Sequence, residues 1–222
     1  MALETSSTSP APVFLRRQSK FVIGLAVADD SALVLVEHVQ GVLDFRSAHD
    51  RHCNIEGPPQ QPAERFAVRY LVRPRLANHL ELVEHVRGLL ARQSAKLCID
   101  QTEAGVAVGD LFEKLRPIGI TRTATNEVRP RCVGWRDGHP SKFTVGEVTL
   151  ASILAASLHK GELLIASELP DADALKHALA SFTVSDVGAS DPLARATAIS
   201  LWFAKRPEPN YVLCGVQVIH DD

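Results

Sequence analysis

Residues 21–28, Phe-Val-Ile-Gly-Leu-Ala-Val-Ala, make a near-continuous apolar run of strand length. A strand with one face in water alternates apolar and polar residues. A run without alternation needs cover on both faces, which a sheet flanked by helices supplies. The turn residues Asp29-Asp30-Ser31 follow, and then a second apolar run at 32–39, so the two read as a hairpin. Residues 66–72 give a third strand. The stretch 41–62 between them is polar, with Gly57-Pro58-Pro59, and reads as irregular.

The period then changes from two to three or four. Leu82, Val83, Val86, Leu89 and Leu90 lie at helical spacing within 79–92. A short buried strand at 96–100 ends in Asp100. A helix is expected over 106–115, stopped by Pro117. A weaker strand follows at 119–124, and residues 125–142 read as a long polar loop. A helix at 145–160 ends before Gly161, and a short strand covers 162–166. Asp171 is a candidate N-cap for a helix bearing Ala172, Leu175 and Leu179, and 182–184 is extended. Asp191 and Pro192 suit the N-cap and first position of a helix running to Phe203. The run 211–219 is a candidate edge strand. Three strands in meander followed by alternating helices and strands predict an α/β fold: a mixed sheet, antiparallel then parallel, with helices on both faces. The expected organisation is a flexible Ser/Thr/Pro-rich segment at 1–20, one domain at 21–204 and a C-terminal extension at 205–222.

Composition narrows the function. The 222 residues are 45% hydrophobic and 23% charged, as in ordinary globular domains. The net charge of −2 gives no chain-wide basic footprint for nucleic acid. Any DNA contact would need a local patch, such as Arg16, Arg17 and Lys20, or Arg69, Arg73 and Arg75, or Arg129 and Arg131. Cys53, Cys98, Cys132 and Cys214 form no CxxC pair, which suits a reducing, cytoplasmic setting, with Cys98 in the core. No segment is expected to enter a membrane, and no secretory signal is read at the N-terminus. There is no GxxxxGK[ST] loop, no HExxH pair and no GxSxG elbow, so an ATP-driven motor, a zincin and an α/β-hydrolase lack support. His49 and His52 are read as ordinary surface histidines.

Asp100 is the first candidate for chemistry. In open α/β sheets, ligands sit beyond the carboxyl ends of the strands, and this acid ends one. Asp191 could approach the same edge, although taken alone it reads first as a helix cap. The run 97–112, Leu-Cys-Ile-Asp-Gln-Thr-Glu-Ala-Gly-Val-Ala-Val-Gly-Asp-Leu-Phe, resembles the strand–acid–Thr–Gly–helix segment of the nuclease domain of phage terminase large subunits. Residues 21–37, 143–184 and 191–202 are similar to that family's first hairpin, its later helix–strand–helix stretch and its closing acidic helix. The order and spacing of the segments carry the resemblance, over roughly 21–203.

The resemblance implies a ribonuclease-H-like fold, and DNA cleavage with magnesium or manganese during genome packaging. Carried over by position, it implies Asp100 and Asp191 as catalytic, metal-binding carboxylates. It also implies DNA, or a protein of a packaging assembly, as partner. The departures are as informative. The family has an acid in the first strand, where this chain has Ala26. The second acid of the closing pair is Pro192, and a basic position opening the long helix is Glu147. Asp29, Asp30 or Asp186 are the alternatives for a displaced third metal ligand. The reading preferred on these grounds is a relative that has lost cleavage and keeps a binding or structural role. The alternative is an active divalent-metal endonuclease of terminase or junction-resolvase type.

Overall fold

The computed structural model describes residues 13–27, 30–57, 61–74, 79–102, 109–136, 139–182 and 191–206, with the side chains of 15–17 and 132–140 outside that description. Eight strands form one mixed sheet among these residues. They are β1 (Val13–Ala26), β2 (Ala32–Asp44), β3 (Gln61–Val72), β4 (Ala95–Asp100), β5 (Ile118–Thr123), β6 (Val128–Arg136), β7 (His139–Gly146) and β8 (Leu163–Ile165). Their order across the sheet is β6-β7-β5-β4-β1-β2-β3-β8. β1, β2 and β3 are an antiparallel meander, and β1, β4, β5 and β7 run parallel. β6 closes one edge antiparallel to β7, and β8 closes the other parallel to β3. The expected mixed sheet, antiparallel then parallel and flanked by helices, is what the chain forms.

The helices are α1 (Ala48–His52), α2 (His79–Arg92), α3 (Glu147–His159), α4 (Ala172–Ala180) and α5 (Pro192–Lys205). Alternate residues of the central strands feed two cores. Val22, Ala26, Val34, Val36 and Cys98 pack with α3, α4 and α5. Ile23, Leu25, Leu33, Leu35, Leu97 and Ile99 pack with Leu82, Val83 and Val86 of α2 and with Phe112. This two-sided cover is why the runs in β1 and β4 need no polar alternation. No helix among the described residues is long and apolar enough to cross a membrane.

α5 is the central helix, with every residue from Leu193 to Ala204 buried. A helix with no solvent-facing side belongs inside a protein, and this one lies between the sheet and helices α3 and α4. Its approach to β1 depends on Gly24. A Cβ at that position would stand 2.1 Å from the Ala196 carbonyl oxygen and 2.2 Å from Ser200 Oγ. That close seat brings the first turns of α5 over the end of β4.

Several elements differ from the sequence reading. β1 starts at Val13, so residues 13–20 of the expected flexible segment are strand, paired with the continuation of β2 to Asp44. The polar residues Arg16 to Ser19 and a register shift between Leu15 and Gln18 hide the strand pattern there. The expected irregular stretch 41–62 holds the end of β2, the start of β3 and α1, whose N-terminus is a Ser47–Asp50 capping box. The expected loop 125–142 is largely the β6–β7 hairpin. Its outer strand carries Pro130, tolerated at a sheet edge because one side of the strand needs no partner. Asp171 does occupy the N-cap of α4, but in a left-handed conformation (φ 58°) without a side-chain cap bond. The expected helix 106–115 is described only from 109, as a short helical segment and a 3₁₀ turn at Glu113–Leu115. The expected extended residues 183–184 and candidate strand 211–219 lie outside the described residues.

Candidate functional site

Asp100 is the last residue of β4, in parallel register with Ala26, the last residue of β1, and with Ile120 of β5. By strand alternation it shares the α5 face with Cys98. The chain turns sharply after it, and the turn is tied to the acid. The Thr102 amide and hydroxyl both donate to Asp100 Oδ1, at 3.1 and 2.6 Å. Thr102 Oγ1 in turn accepts from the Arg122 amide at 2.9 Å, linking the turn to β5.

Arg122 lies on the same face of β5 as the core residues Ile118 and Ile120. Its Nε donates to Asp100 Oδ2 at 2.8 Å, and its Nη1 donates to Glu147 Oε1. One guanidinium thus bridges two carboxylates, one on a strand and one on a helix. Glu147 is the first residue of α3, where the helix dipole favours a negative charge. It follows Gly146, at which a Cβ would stand 2.0 Å from the Thr125 carbonyl oxygen. Arg195, in the opening turns of α5, places Nη1 3.9 Å from Asp100 Oδ2. Asp100, Arg122, Glu147 and Arg195 are each only 3–4% exposed. Among the described residues the cluster sets two arginines against two carboxylates. Burial pushes the Glu147 carboxyl above its ordinary value, opposed by the Arg122 charge and reinforced by Asp100.

Asp191 has separate partners. It is the N-cap of α5, with Oδ1 accepting from the Leu193 amide at 2.8 Å and Oδ2 accepting from Arg73 Nη2 at 2.7 Å. Its side chain is 31% exposed. The Arg195 amide donates to the Asp191 carbonyl at 3.1 Å, so the turn that Asp191 opens is the turn whose arginine reaches Asp100. Ala26 is fully buried beside Asp100. Asp30 is exposed in the turn between β1 and β2, and Asp29 and Asp186 lie outside the described residues.

As paired here, the described residues offer a divalent metal a poor ligand set. Magnesium takes six oxygens and calcium six to eight, several of them from water or carboxylates. Both oxygens of Asp100 are already engaged, Arg122 holds Glu147, and the cluster is closed to solvent. Among the described residues no group of three His, Cys, Asp or Glu side chains could hold a metal ion. Nor can the guanidinium serve as a base, since it stays protonated in proteins.

Of the basic positions singled out for DNA, the side chains of Arg16 and Arg17 lie outside the described residues, and those described have partners within the chain. Lys20 Nζ donates to the carbonyls of Phe203 and Arg206, Arg69 pairs with Glu37, Arg73 with Asp191 and Arg129 with Glu127. Arg131 donates to Thr144, and Arg75 lies outside the described residues. Cys98 is a core thiol whose pKa burial raises, whereas Cys53 is exposed near His49.

Sequence reasoning missed Arg122 and Arg195. Each carried a signal: a charge continuing the buried face of a strand, and a single charge inside a helix with no polar face. No protein-family model matches the chain, and no curated protein matches it.

Proposed function

We propose that this chain is a ribonuclease-H-like domain of the terminase-nuclease type that has lost metal-dependent DNA cleavage and keeps a binding or structural role. The observation that carries the reading is the buried Arg122 guanidinium bridging Asp100 and Glu147 at the carboxyl ends of parallel strands. Ala26 beside Asp100 supports it, since an alanine supplies no ligand where the resemblance implies an acid. The strand order β3-β2-β1-β4-β5, antiparallel and then parallel, supports the fold assignment. Cysteine spacing favours a reducing, cytoplasmic setting. The partner of such a domain is DNA or a protein of a packaging-type assembly.

A plasmid-nicking assay with manganese and with magnesium tests the loss of cleavage. Supercoiled DNA is expected to persist with the purified protein. Nicking that disappears in Asp100→Ala would reverse the conclusion in favour of an active endonuclease. A DNA-binding titration at graded salt separates the partners. Binding that weakens steeply with salt marks phosphate contact, and its absence points to a protein partner.

A further inference from the structure

We infer that the Arg122 guanidinium is a tethered cation: it performs, as part of the chain, the charge-neutralising and cross-linking work of a bound metal ion between Asp100 and Glu147. The inference rests on the functional reading above and deepens it, by saying what now fills the site. Three observations support it. The guanidinium contacts one carboxylate through Nε and the other through Nη1, so a single cation lies between two anions from different elements. Asp100 ends β4 and Glu147 begins α3, so the bridge joins β4, β5 and α3 at one point. All the groups are buried, where two carboxylates without a cation would repel strongly and lose hydration. Arg195 adds a longer contact of 3.9 Å to Asp100, which draws α5 into the same junction.

A tethered cation has two consequences. The stability of the native chain is indifferent to divalent metal and to chelator. Removing the guanidinium while keeping both acids leaves a small, anionic space that a free cation can enter. The test is thermal unfolding of wild type, Arg122→Ala and the triple variant Arg122→Ala/Asp100→Asn/Glu147→Gln, each with EDTA or with manganese.

Wild type is expected to melt at the same temperature in both. Arg122→Ala is expected to melt lower by about 10 °C in EDTA, since breaking a buried pair leaves charges uncompensated. Manganese should then raise its melting temperature in a saturable way, and the triple variant should show no such rise. The inference is overturned by a saturable manganese rise in wild type that Asp100→Asn removes. It is equally overturned by an Arg122→Ala variant that melts like wild type, or that is destabilised without responding to manganese. If Arg122→Ala fails to fold, the triple variant decides. Recovery of folding there supports the cation role, and failure shows that Arg122 serves by packing instead. Nicking by wild type would count against the functional reading, whereas these melting responses bear on the tethered cation, so the two failures are distinguishable.

Discussion

An arginine cannot lose its charge inside a protein, so burying Arg122 obliges the fold to bring anions to it. Asp100 and Glu147 meet that demand, each through one carboxylate oxygen that accepts from the guanidinium. Asp191 serves one local and one distant partner at once. Its carboxylate caps α5 and pairs with Arg73. Asp191→Ala is therefore expected to cost about 1–2 kcal/mol in urea unfolding, and Asp191→Asn, which keeps a capping oxygen, distinctly less. Equal losses from the two substitutions would mean that the Arg73 pair outweighs the cap.

His38 is buried, stacks on Phe66 with ring centroids 4.6 Å apart and meets Glu64 Oε1 at 2.6 Å. Burial pulls its pKa below the ordinary value, with Lys20 adding to that direction and Glu64 opposing it. Lys205 also lies over Phe66 and pairs with Glu64, so it belongs to the same surroundings. A histidine held neutral in the fold is protonated first in the unfolded chain. Stability should thus fall as pH drops from the ordinary histidine range, about 6.5, towards the depressed folded value, and then level off. His38→Gln should flatten that slope in urea midpoints taken across the range. An unchanged slope would assign the pH dependence to other groups.

At the level of elements, the contact between β1 and α5 governs the site. Gly24 lets the helix lie against the strand, and the helix then carries Arg195 to Asp100. Gly24→Ala would push a methyl group into the backbone of α5. A destabilisation of about 3 kcal/mol is expected, read as a lower urea midpoint at an unchanged m-value. A neutral result would show that α5 can shift without loss. The hairpin of β6 and β7 illustrates the opposite case. Its outer strand lies at a sheet edge, so few apolar residues are required of it, and its sequence reads as a loop.

Across the whole molecule, stability should grade from the centre of the sheet outwards. β1 has neighbours on both sides and is covered by α5 on one face and by the α2 core on the other. Amide exchange is expected to be slowest in β1, the first half of β2, β4 and α5, and faster in the edge strands β6 and β8. Protection as strong in three-residue β8 as in β1 would contradict this gradient. The same gradient puts the Arg122 junction in the stable part of the fold, at the ends of inner strands, so its loss should be felt globally.

What the amino-acid order determined alone is the class of fold. The uninterrupted apolar runs in β1 and β4 demand cover on both faces, and the spacing of Leu82, Val83 and Val86 marks the helix that supplies one of them. It also made Asp100 legible as the acid ending a buried strand, and Asp191 as a cap, because both follow from local patterns of period and turn. The partners of those acids were decided only by tertiary structure. Arg122, Glu147 and Arg195 are separated from Asp100 along the chain, and nothing local says that strand register and the close seat of α5 on Gly24 will bring them together. An ion pair between distant residues depends on where the fold carries each charge, and the order of residues along the chain specifies that only through the complete packing.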